Sequence, residues 1–288
     1  MKLEKAIRTI LVSALILPLL NCNKEEPIPS YIHIDKFDLS TVYGTEGSNA
    51  HKIVDAWIFV DDQSAGVYEL PCTIPVLYAG DHVVKILPGV KENGISDTRI
   101  PYPFYNRYQE TVTLTPGQIT AIAPSTTYSQ AADFSWLEDF EGSAHGICAN
   151  IGTPDTMMKL LHAPADVFEM TGSGGVVLGA NSPSSYFGMT CTQYVLPQAD
   201  AAVFLELNYR CNNDFNIGIV GYNGIGIETQ SVSLGLRPTS GWNKVYVNLT
   251  NEVTLATSST KFAIFFSMLK SSTLDSSYFY IDNVKLVN

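Results

Sequence analysis

Apolar and polar residues alternate at many places along this chain, which is the pattern of β-strands with one buried face. In the first half Ala56 to Val60 and His82 to Leu87 alternate, and in the second half Ala202 to Arg210 and Lys244 to Leu249 do so. Turn-forming residues separate such runs, as at Asp61 to Gly66. Apolar residues at helical spacing are scarce. The pattern therefore predicts an all-β protein.

The strand patterns fall into two groups. Residues 31–124 contain about seven short strands divided by turns, which is typical of a small β-sandwich. Within them, Pro88 to Asn106 is predicted to be a loop because it is rich in Pro, Gly and Tyr. A polar break follows, and residues 131–288 form the second predicted domain. Its strands are expected at Gly175–Ala180, Ala202–Arg210, Phe215–Gly221, Trp242–Leu249 and Lys261–Met268.

Both predicted domains resemble known modules. Residues 53–90 contain the order Phe59-Val60-Asp61, Gly66, Leu70-Pro71 and Ala79 to Ile86, which resembles PEGA-like and Ig-like surface modules. Asp139 to Gly142, Gly241 to Leu249 and Tyr280 to Leu286 resemble, in that order, three blocks of galactose-binding-like jelly rolls. That family includes many carbohydrate-binding modules. The resemblance implies an Ig-like β-sandwich followed by a jelly-roll β-sandwich, but a fold alone does not decide function.

The N-terminal residues have the organisation of a signal peptide. Lys2, Lys5 and Arg8 precede an apolar run from Ile10 to Leu20, which is too short to span a bilayer. Leu19-Leu20-Asn21-Cys22 resembles a bacterial lipobox, although Asn21 departs from the usual small residue. The resemblance implies cleavage after residue 21 and lipidation, such as palmitate, on Cys22. An ordinary secretory signal is the alternative.

Residues 22–30 are charged and contain prolines, which predicts an extended tether. The Lys24-Glu25-Glu26 segment resembles the export signal of surface-exposed lipoproteins in Bacteroidetes-type bacteria. That resemblance implies a lipid anchor in the outer membrane with the chain facing the cell exterior. A location facing the periplasm is the alternative.

Charge and cysteine content narrow the possible partners. The sequence has 17 basic and 28 acidic residues, a net charge of −11, which disfavours nucleic acid as a partner. Apart from Cys22, the cysteines are Cys72, Cys148, Cys191 and Cys211. An oxidising compartment would permit disulfides between them, but their spacing fits no metal motif. Disulfides and buried thiols both remain open.

The sequence gives little indication of catalysis. It contains no His-Glu-x-x-His, Gly-x-Ser-x-Gly or Walker motif. Glycoside hydrolysis requires two carboxyl groups about 5–10 Å apart. Glu138 and Asp139 are close in sequence, but alternation places them on opposite faces of a strand. We therefore expect a protein that is not an enzyme, and a polysaccharide-active enzyme is the less favoured reading.

Aromatic residues are the candidate glycan-binding groups, because flat rings stack on sugar C–H groups. The candidates in the second domain are Tyr186, Phe187, Tyr194 and Tyr222, with Asn223 beside the last of them. In the first domain Tyr102, Phe104 and Tyr105 form the densest aromatic loop. This loop is either a binding tip or the contact that docks the two domains, and docking is the favoured alternative.

One metal site follows from the jelly-roll resemblance. In the resembled carbohydrate-binding modules, an acid of the opening block and the Asp of the closing block often share a structural Ca²⁺. Glu141 and Asp282 occupy those positions. The alternative is that Asp282 only caps the entry to the last strand. No other cofactor is expected.

Three functions follow from this interpretation. The first is a non-enzymatic cell-surface lipoprotein whose domains bind a glycan or a surface protein. The second is a structural or assembly subunit of an outer-membrane complex. The third, a polysaccharide-active enzyme, requires paired carboxyl groups in an open groove.

Overall fold

The computed structural model describes residues 26–150, 156–182 and 184–288. The predicted signal peptide, Cys22 and the first residues of the predicted tether lie outside the described residues. No helix within the described residues has both the length and the apolar character needed to cross a bilayer.

The N-terminal domain contains ten strands and one short helix, α1 (Tyr43–Glu46). The strands are β1 (Ser30–Ile34), β2 (Asp38–Leu39), β3 (Asp55–Val60), β4 (Gln63–Glu69), β5 (Cys72–Val76), β6 (Gly80–Lys91), β7 (Arg99–Pro101), β8 (Tyr108–Leu114), β9 (Ile119–Ile122) and β10 (Ser125–Thr126). One sheet has the order β5-β1-β9, in which β9 is parallel to β1. The other has the order β4-β3-β6-β7, and β8 also pairs with β6. Ile32 and Ile74 from the first sheet meet Ile58 and Ile86 from the second in one core.

The described residues of the C-terminal domain form eleven strands and the short helix α2 (Thr250–Leu255). The strands are β11 (Phe134–Glu138), β12 (Ile147–Asn150), β13 (Lys159–Leu161), β14 (Ser173–Leu178), β15 (Tyr186–Cys191), β16 (Phe204–Cys211), β17 (Phe215–Tyr222), β18 (Ile227–Leu236), β19 (Asn243–Asn248), β20 (Lys261–Leu269) and β21 (Ser277–Val287). A six-stranded sheet has the order β13-β14-β21-β16-β19, with β11 also on β21. A five-stranded sheet has the order β12-β15-β20-β17-β18. The two sheets enclose one core, as in a jelly roll.

The prediction of an all-β chain is confirmed, but one predicted turn is shorter than expected. Asp61 and Asp62 both have positive φ, 49° and 64°, and they alone connect β3 to β4. Such two-residue turns match the twist of a hairpin, and Asp tolerates this backbone region better than most residues. Residues 63–66, predicted to continue the turn, therefore already belong to β4.

The predicted loop at Pro88–Asn106 also contains strand structure. β6 continues to Lys91 because Pro88 and Gly89 pair with the start of β3. β7 then returns along β6, with Val90 opposite Ile100. Residues 92–98, between β6 and β7, and the segment after β7 keep the predicted irregular structure.

Candidate functional site

The outward face of the six-stranded sheet packs against the N-terminal sandwich. Phe204, Tyr246 and Val287 belong to the hydrophobic core of the N-terminal domain. On the same strands Glu206 and Lys244 are only 0% and 5% exposed. The alternation in β16 and β19 predicts strands with one face in solvent. That part of the prediction is wrong here, because the neighbouring domain covers the second face.

The segment that follows β6 joins the edge of this sheet. Asn93 N donates to Tyr246 O at 2.8 Å, and Asn248 N donates to Asn93 Oδ1 at 2.9 Å. Asn248 Nδ2 also donates to Glu92 Oε1 at 2.5 Å. These bonds run between the two domains, so they fix the walls of any cleft at the interface.

A buried charge cluster lies at the centre of the interface. Tyr102 Oη and Tyr128 Oη each donate to Glu206 Oε1 at 2.8 Å. Lys244 Nζ lies 3.1 Å from Glu206 Oε2, and Lys285 Nζ donates to Tyr128 Oη at 3.2 Å. Burial alone would raise the pKa of Glu206, but the two lysines and the two hydroxyls together lower it. Glu206 is therefore held as a carboxylate inside the protein.

The aromatic loop of the N-terminal domain lies in this interface. Tyr102 and Tyr105 are 2% and 6% exposed. The ring of Tyr102 packs edge-on to Phe204 at 5.3 Å between centroids, and Tyr105 Oη is 3.2 Å from Tyr246 Oη. The assignment of Tyr102 and Tyr105 as ligand-binding residues is contradicted by this burial, since neither ring has a face open to a sugar. They dock the two domains, which was the favoured alternative.

A cleft of about 320 Å³ opens at the edge of the same interface. Both domains contribute to it: the N-terminal domain provides Lys52, Lys91 and Asn93, and the C-terminal domain provides Tyr209, Arg237, Asn243 and Lys244. Lys52 Nζ donates across the cleft to Asn243 Oδ1 at 2.5 Å. Asn243 Nδ2 in turn donates to Tyr209 Oη at 3.1 Å. The cleft is of the size of a small-ligand site and contains amide, hydroxyl and ammonium groups.

The charge of the cleft differs from that of the whole chain. Four basic side chains and no acidic one occur among its described lining residues, although acidic residues outnumber basic ones in the sequence. Two of the four are paired with carboxylates, Lys244 with Glu206 and Lys91 with Glu69 at 3.2 Å. Within the described residues, Lys52 and Arg237 have no carboxylate partner.

No local motif could have predicted this cleft. Lys52 and Asn243 are 191 residues apart in sequence, and the other lining residues come from separate turns and strands. The sequence contains only 17 basic residues in 288, so a site that gathers four of them is unusual, but nothing in the sequence shows which four come together. Their convergence depends on how the two domains pack.

The structure separates the aromatic candidates of the C-terminal domain. Tyr222 pairs with Lys261 at the start of β20, whereas Tyr186 pairs with Leu269 at its end. Eight residues of strand place these two positions roughly 27 Å apart. Tyr194 shares main-chain hydrogen bonds with Phe262, so it lies at the Tyr222 end. A single sugar site therefore does not contain all of these residues.

The residues at the Tyr222 end have structural contacts. The ring of Tyr194 stacks on Trp136 with 6.4 Å between centroids, and Tyr222 packs against the domain core. Asn223 Oδ1 accepts hydrogen bonds from Ile225 N at 2.8 Å and Gly226 N at 3.1 Å. Asn223 thus stabilises its own turn, and binding of a sugar by these three residues stays a prediction.

The outward face of the five-stranded sheet is closed at its centre. Phe265 lies between two core residues of β20 and so points away from the core, yet it is 1% exposed. It pairs with Gly218 of β17. A Cβ on Gly218 would lie well under 3.0 Å from the Phe265 ring. Near Tyr186, the Tyr186 ring covers Gly188 in the same manner. The half-buried Tyr186 therefore lies against the sheet.

Glu141 and Asp282, the candidate calcium ligands, both accept hydrogen bonds from residues 171–173. Glu141 Oε1 accepts hydrogen bonds from Thr171 N at 2.9 Å and Gly172 N at 2.7 Å, and Asp282 Oδ2 accepts one from Ser173 Oγ at 2.7 Å. A structural Ca²⁺ shared by these two side chains stays a prediction. No group of three or more His, Cys, Asp or Glu ligands occurs in the part of the chain that the structure describes. Hydrogen bonds through residues 171–173 connect the first and last parts of the domain.

The buried carboxyl group of Asp282 is expected to make the stability of the protein depend on pH. Burial raises its pKa from 3.8 to about 7, so between about pH 4 and pH 7 the folded state binds more protons than the unfolded state. Its contribution to stability is complete below pH 4 and is lost as the pH rises to 7. One pKa unit corresponds to about 1.4 kcal/mol. We therefore expect the free energy of unfolding of Asp282→Asn to rise by about 2–4 kcal/mol, relative to that of the native chain, between pH 4.5 and pH 7.5. Urea denaturation measures this, and the exposed Asp97→Asn variant is the control. If the free energy of unfolding changed with pH in the same way for the native and Asp282→Asn proteins, the raised pKa of Asp282 would be contradicted.

The described cysteines are thiols in this structure. Cys72 is half-buried and Cys211 is buried, and neither is in a disulfide. Burial raises the pKa of the Cys211 thiol to about 12, so it is unreactive at neutral pH. Cys191 Sγ donates to Thr192 O at 3.1 Å. The side chain of Cys148 lies outside the described residues.

The fold and the interface define a protein of two packed β-sandwiches, the second a jelly roll. No family model and no curated protein matches the chain. Among solved structures, it is similar to the C-terminal family 22 carbohydrate-binding module of Clostridium thermocellum Xyn10B, with 14% identity over 55% of this chain and 96% of that one, at a TM-score of 0.38. It is similar to the family 11 carbohydrate-binding module from Clostridium thermocellum in complex with a β-1,3-1,4-mixed-linked tetrasaccharide. The identity is 17% over 52% of this chain and 92% of that one, and the TM-score is 0.35. It is also similar to the enzymatically active domain of bacteriophage CBA120 tailspike protein 4. The identity is 11% over 58% of this chain and 26% of that one, and the TM-score is 0.40. At these identities no residue role is transferred.

Proposed function

We propose that this protein is a non-enzymatic surface lipoprotein that binds a glycan in the cleft between its two domains. The cleft itself is the observation that carries the proposal. Its volume of about 320 Å³ holds one or two sugar rings. Its Asn93 and Asn243 amides and Tyr209 hydroxyl are groups that exchange hydrogen bonds with sugar hydroxyls.

The lining of the cleft favours binding over hydrolysis. Glycoside hydrolysis uses a pair of carboxyl groups on either side of the bond that is cleaved. The described residues that line the cleft include two amides, two phenols and four cations, with no carboxyl group. Two carboxylates that do not line the cleft, Glu206 and Glu69, are paired with the lining residues Lys244 and Lys91.

Filling the cleft with a larger neutral side chain tests the site. Ile95 lines the cleft and is 50% exposed, so Ile95→Trp is expected to weaken glycan binding at least tenfold without loss of folding. A glycan array of neutral and acidic oligosaccharides, followed by calorimetry on the hits, measures this.

The matched control is Ile119→Trp, which adds the same volume at an isoleucine that is 64% exposed on β9, outside the cleft. Equal binding by both variants would place the site elsewhere. An empty array together with co-purification of a stoichiometric protein partner would favour the assembly function instead.

The lipid anchor belongs to the same proposal. The lipobox-like residues before Cys22 and the charged segment after it support attachment at the outer face of the outer membrane. We expect Cys22→Ser to move the chain from the membrane fraction to the soluble fraction. Metabolic labelling with palmitate checks the modification, and unchanged labelling of the variant would exclude Cys22.

A further inference from the structure

We propose that the ligand of the interdomain cleft is an acidic saccharide, a sugar carrying a carboxylate or a sulfate group, and that Lys52 and Arg237 bind this group. The inference rests on the proposed function, because it names the class of glycan for the same cleft. The observations that support an acidic ligand are the basic side chains that line the cleft and the carboxylates with which some of them are paired.

The four cations of the cleft divide into two pairs. Lys244 is paired with the buried Glu206, and Lys91 is paired with the exposed Glu69. Lys52 instead donates to Asn243 Oδ1, which is neutral. Arg237 is exposed and has no ion pair with any of the described residues. The cleft therefore has two positive charges that no carboxylate of the described residues compensates.

An anion is the ligand that this arrangement favours. Cations that share one cleft repel each other, and an anionic group between them would remove that cost. A guanidinium binds a carboxylate or sulfate through two parallel hydrogen bonds, and an ammonium adds a point charge. The net charge of −11 opposes the approach of a densely charged polyanion. The fitting ligand is thus a short acidic oligosaccharide and not a long polyanion.

The remaining wall of the cleft suits a sugar ring. Leu234, Leu236 and Ile95 give it an apolar side, against which the C–H groups of a pyranose can pack. Tyr209 Oη accepts from Asn243 Nδ2, so its own proton can be donated to a ligand oxygen. The cleft therefore offers both apolar surface for a sugar ring and cations for an acidic group.

Calorimetry on the mature, detergent-solubilised chain tests this inference. The probes are a galacturonate trisaccharide, its methyl ester, which has the same rings without the charge, an alginate trisaccharide, and a sulfated galactan tetrasaccharide. We expect at least one charged probe to bind, the methyl ester to bind at least tenfold more weakly than its acid, and added salt to weaken the binding. Arg237→Gln and Lys52→Gln are each expected to weaken binding about tenfold.

The control variant is Lys261→Gln, an exposed lysine outside the cleft, which should bind as the native chain does. Melting temperatures of all variants establish that they are folded. Binding of only the uronates or only the sulfated probe identifies the acidic group and supports the inference. Equal binding of the ester and the acid, or charged binding that Arg237→Gln and Lys52→Gln leave unchanged, overturns it.

The array and the Ile95→Trp variant separate the two proposals. If neutral glycans bind and Ile95→Trp abolishes their binding, the glycan function stands and the acidic specificity is wrong. If neither neutral nor acidic probes bind, both proposals are wrong.

Discussion

Replacing Glu206 by alanine is expected to lower the free energy of unfolding by about 3–5 kcal/mol. The carboxylate is fully buried and bonded to Lys244, Tyr102 and Tyr128. Its removal leaves the ammonium of Lys244 buried without a carboxylate, and it leaves the two tyrosine hydroxyls without their acceptor. Each of these losses has the desolvation cost of an unpaired buried group.

Urea denaturation at neutral pH measures the effect of Glu206→Ala. Glu110→Ala, at an exposed position on β8, is the control and should change stability by less than about 0.5 kcal/mol. Glu206→Gln retains an acceptor for both tyrosines and should lie between the two. A loss below about 1 kcal/mol for Glu206→Ala would show that the interface does not depend on this charge.

Replacing Gly218 by alanine is expected to destabilise the C-terminal domain by about 3 kcal/mol, at the upper end of the cost of overpacking. A Cβ at this position would lie well under 3.0 Å from the main-chain oxygen of Ser231 and from the ring of Phe265. Neither neighbour can move freely, because Ser231 belongs to the paired strand β18 and Phe265 is buried. The backbone of Gly218 has no positive φ, so the cost arises from contact alone.

Gly179→Ala is the matched control, since a Cβ there would meet no atom within 4 Å. Thermal unfolding of the two variants should therefore separate by many degrees, with Gly179→Ala close to the native protein. If Gly218→Ala melted together with Gly179→Ala, the close packing of β17, β18 and β20 would be contradicted. If Phe265→Ala restored the stability of Gly218→Ala in part, the ring would be identified as the main obstacle.

The sequence allowed the all-β fold to be predicted because alternation is local. In β16 the residues Leu205 and Leu207 face the core and Glu206 faces away, as the pattern requires. Alternation cannot show what covers the second face. Glu206 looks like a solvent residue in the sequence and is buried only because another domain, folded from earlier residues, packs on it.

The binding site was predicted less well, for a related physical reason. Aromatic residues indicate a sugar platform only when their rings are exposed, and the exposure of Tyr102 or Phe265 is decided by distant partners. The charges of the cleft are equally hidden in the sequence. Lys244 and Arg237 look alike as basic residues, yet Lys244 is paired with a buried carboxylate and Arg237 has no ion pair with any described residue.

The contact between Asn93 and β19 affects how neighbouring copies of the protein can interact. β19 is the last strand of its sheet, and an uncovered edge of this kind offers main-chain groups to the edge of a second molecule. Glu92 and Asn93 of the neighbouring domain occupy those groups at Tyr246 and Asn248. The chain therefore blocks its own edge against strand exchange with another copy. Many copies packed side by side at high density would stay separate at this edge.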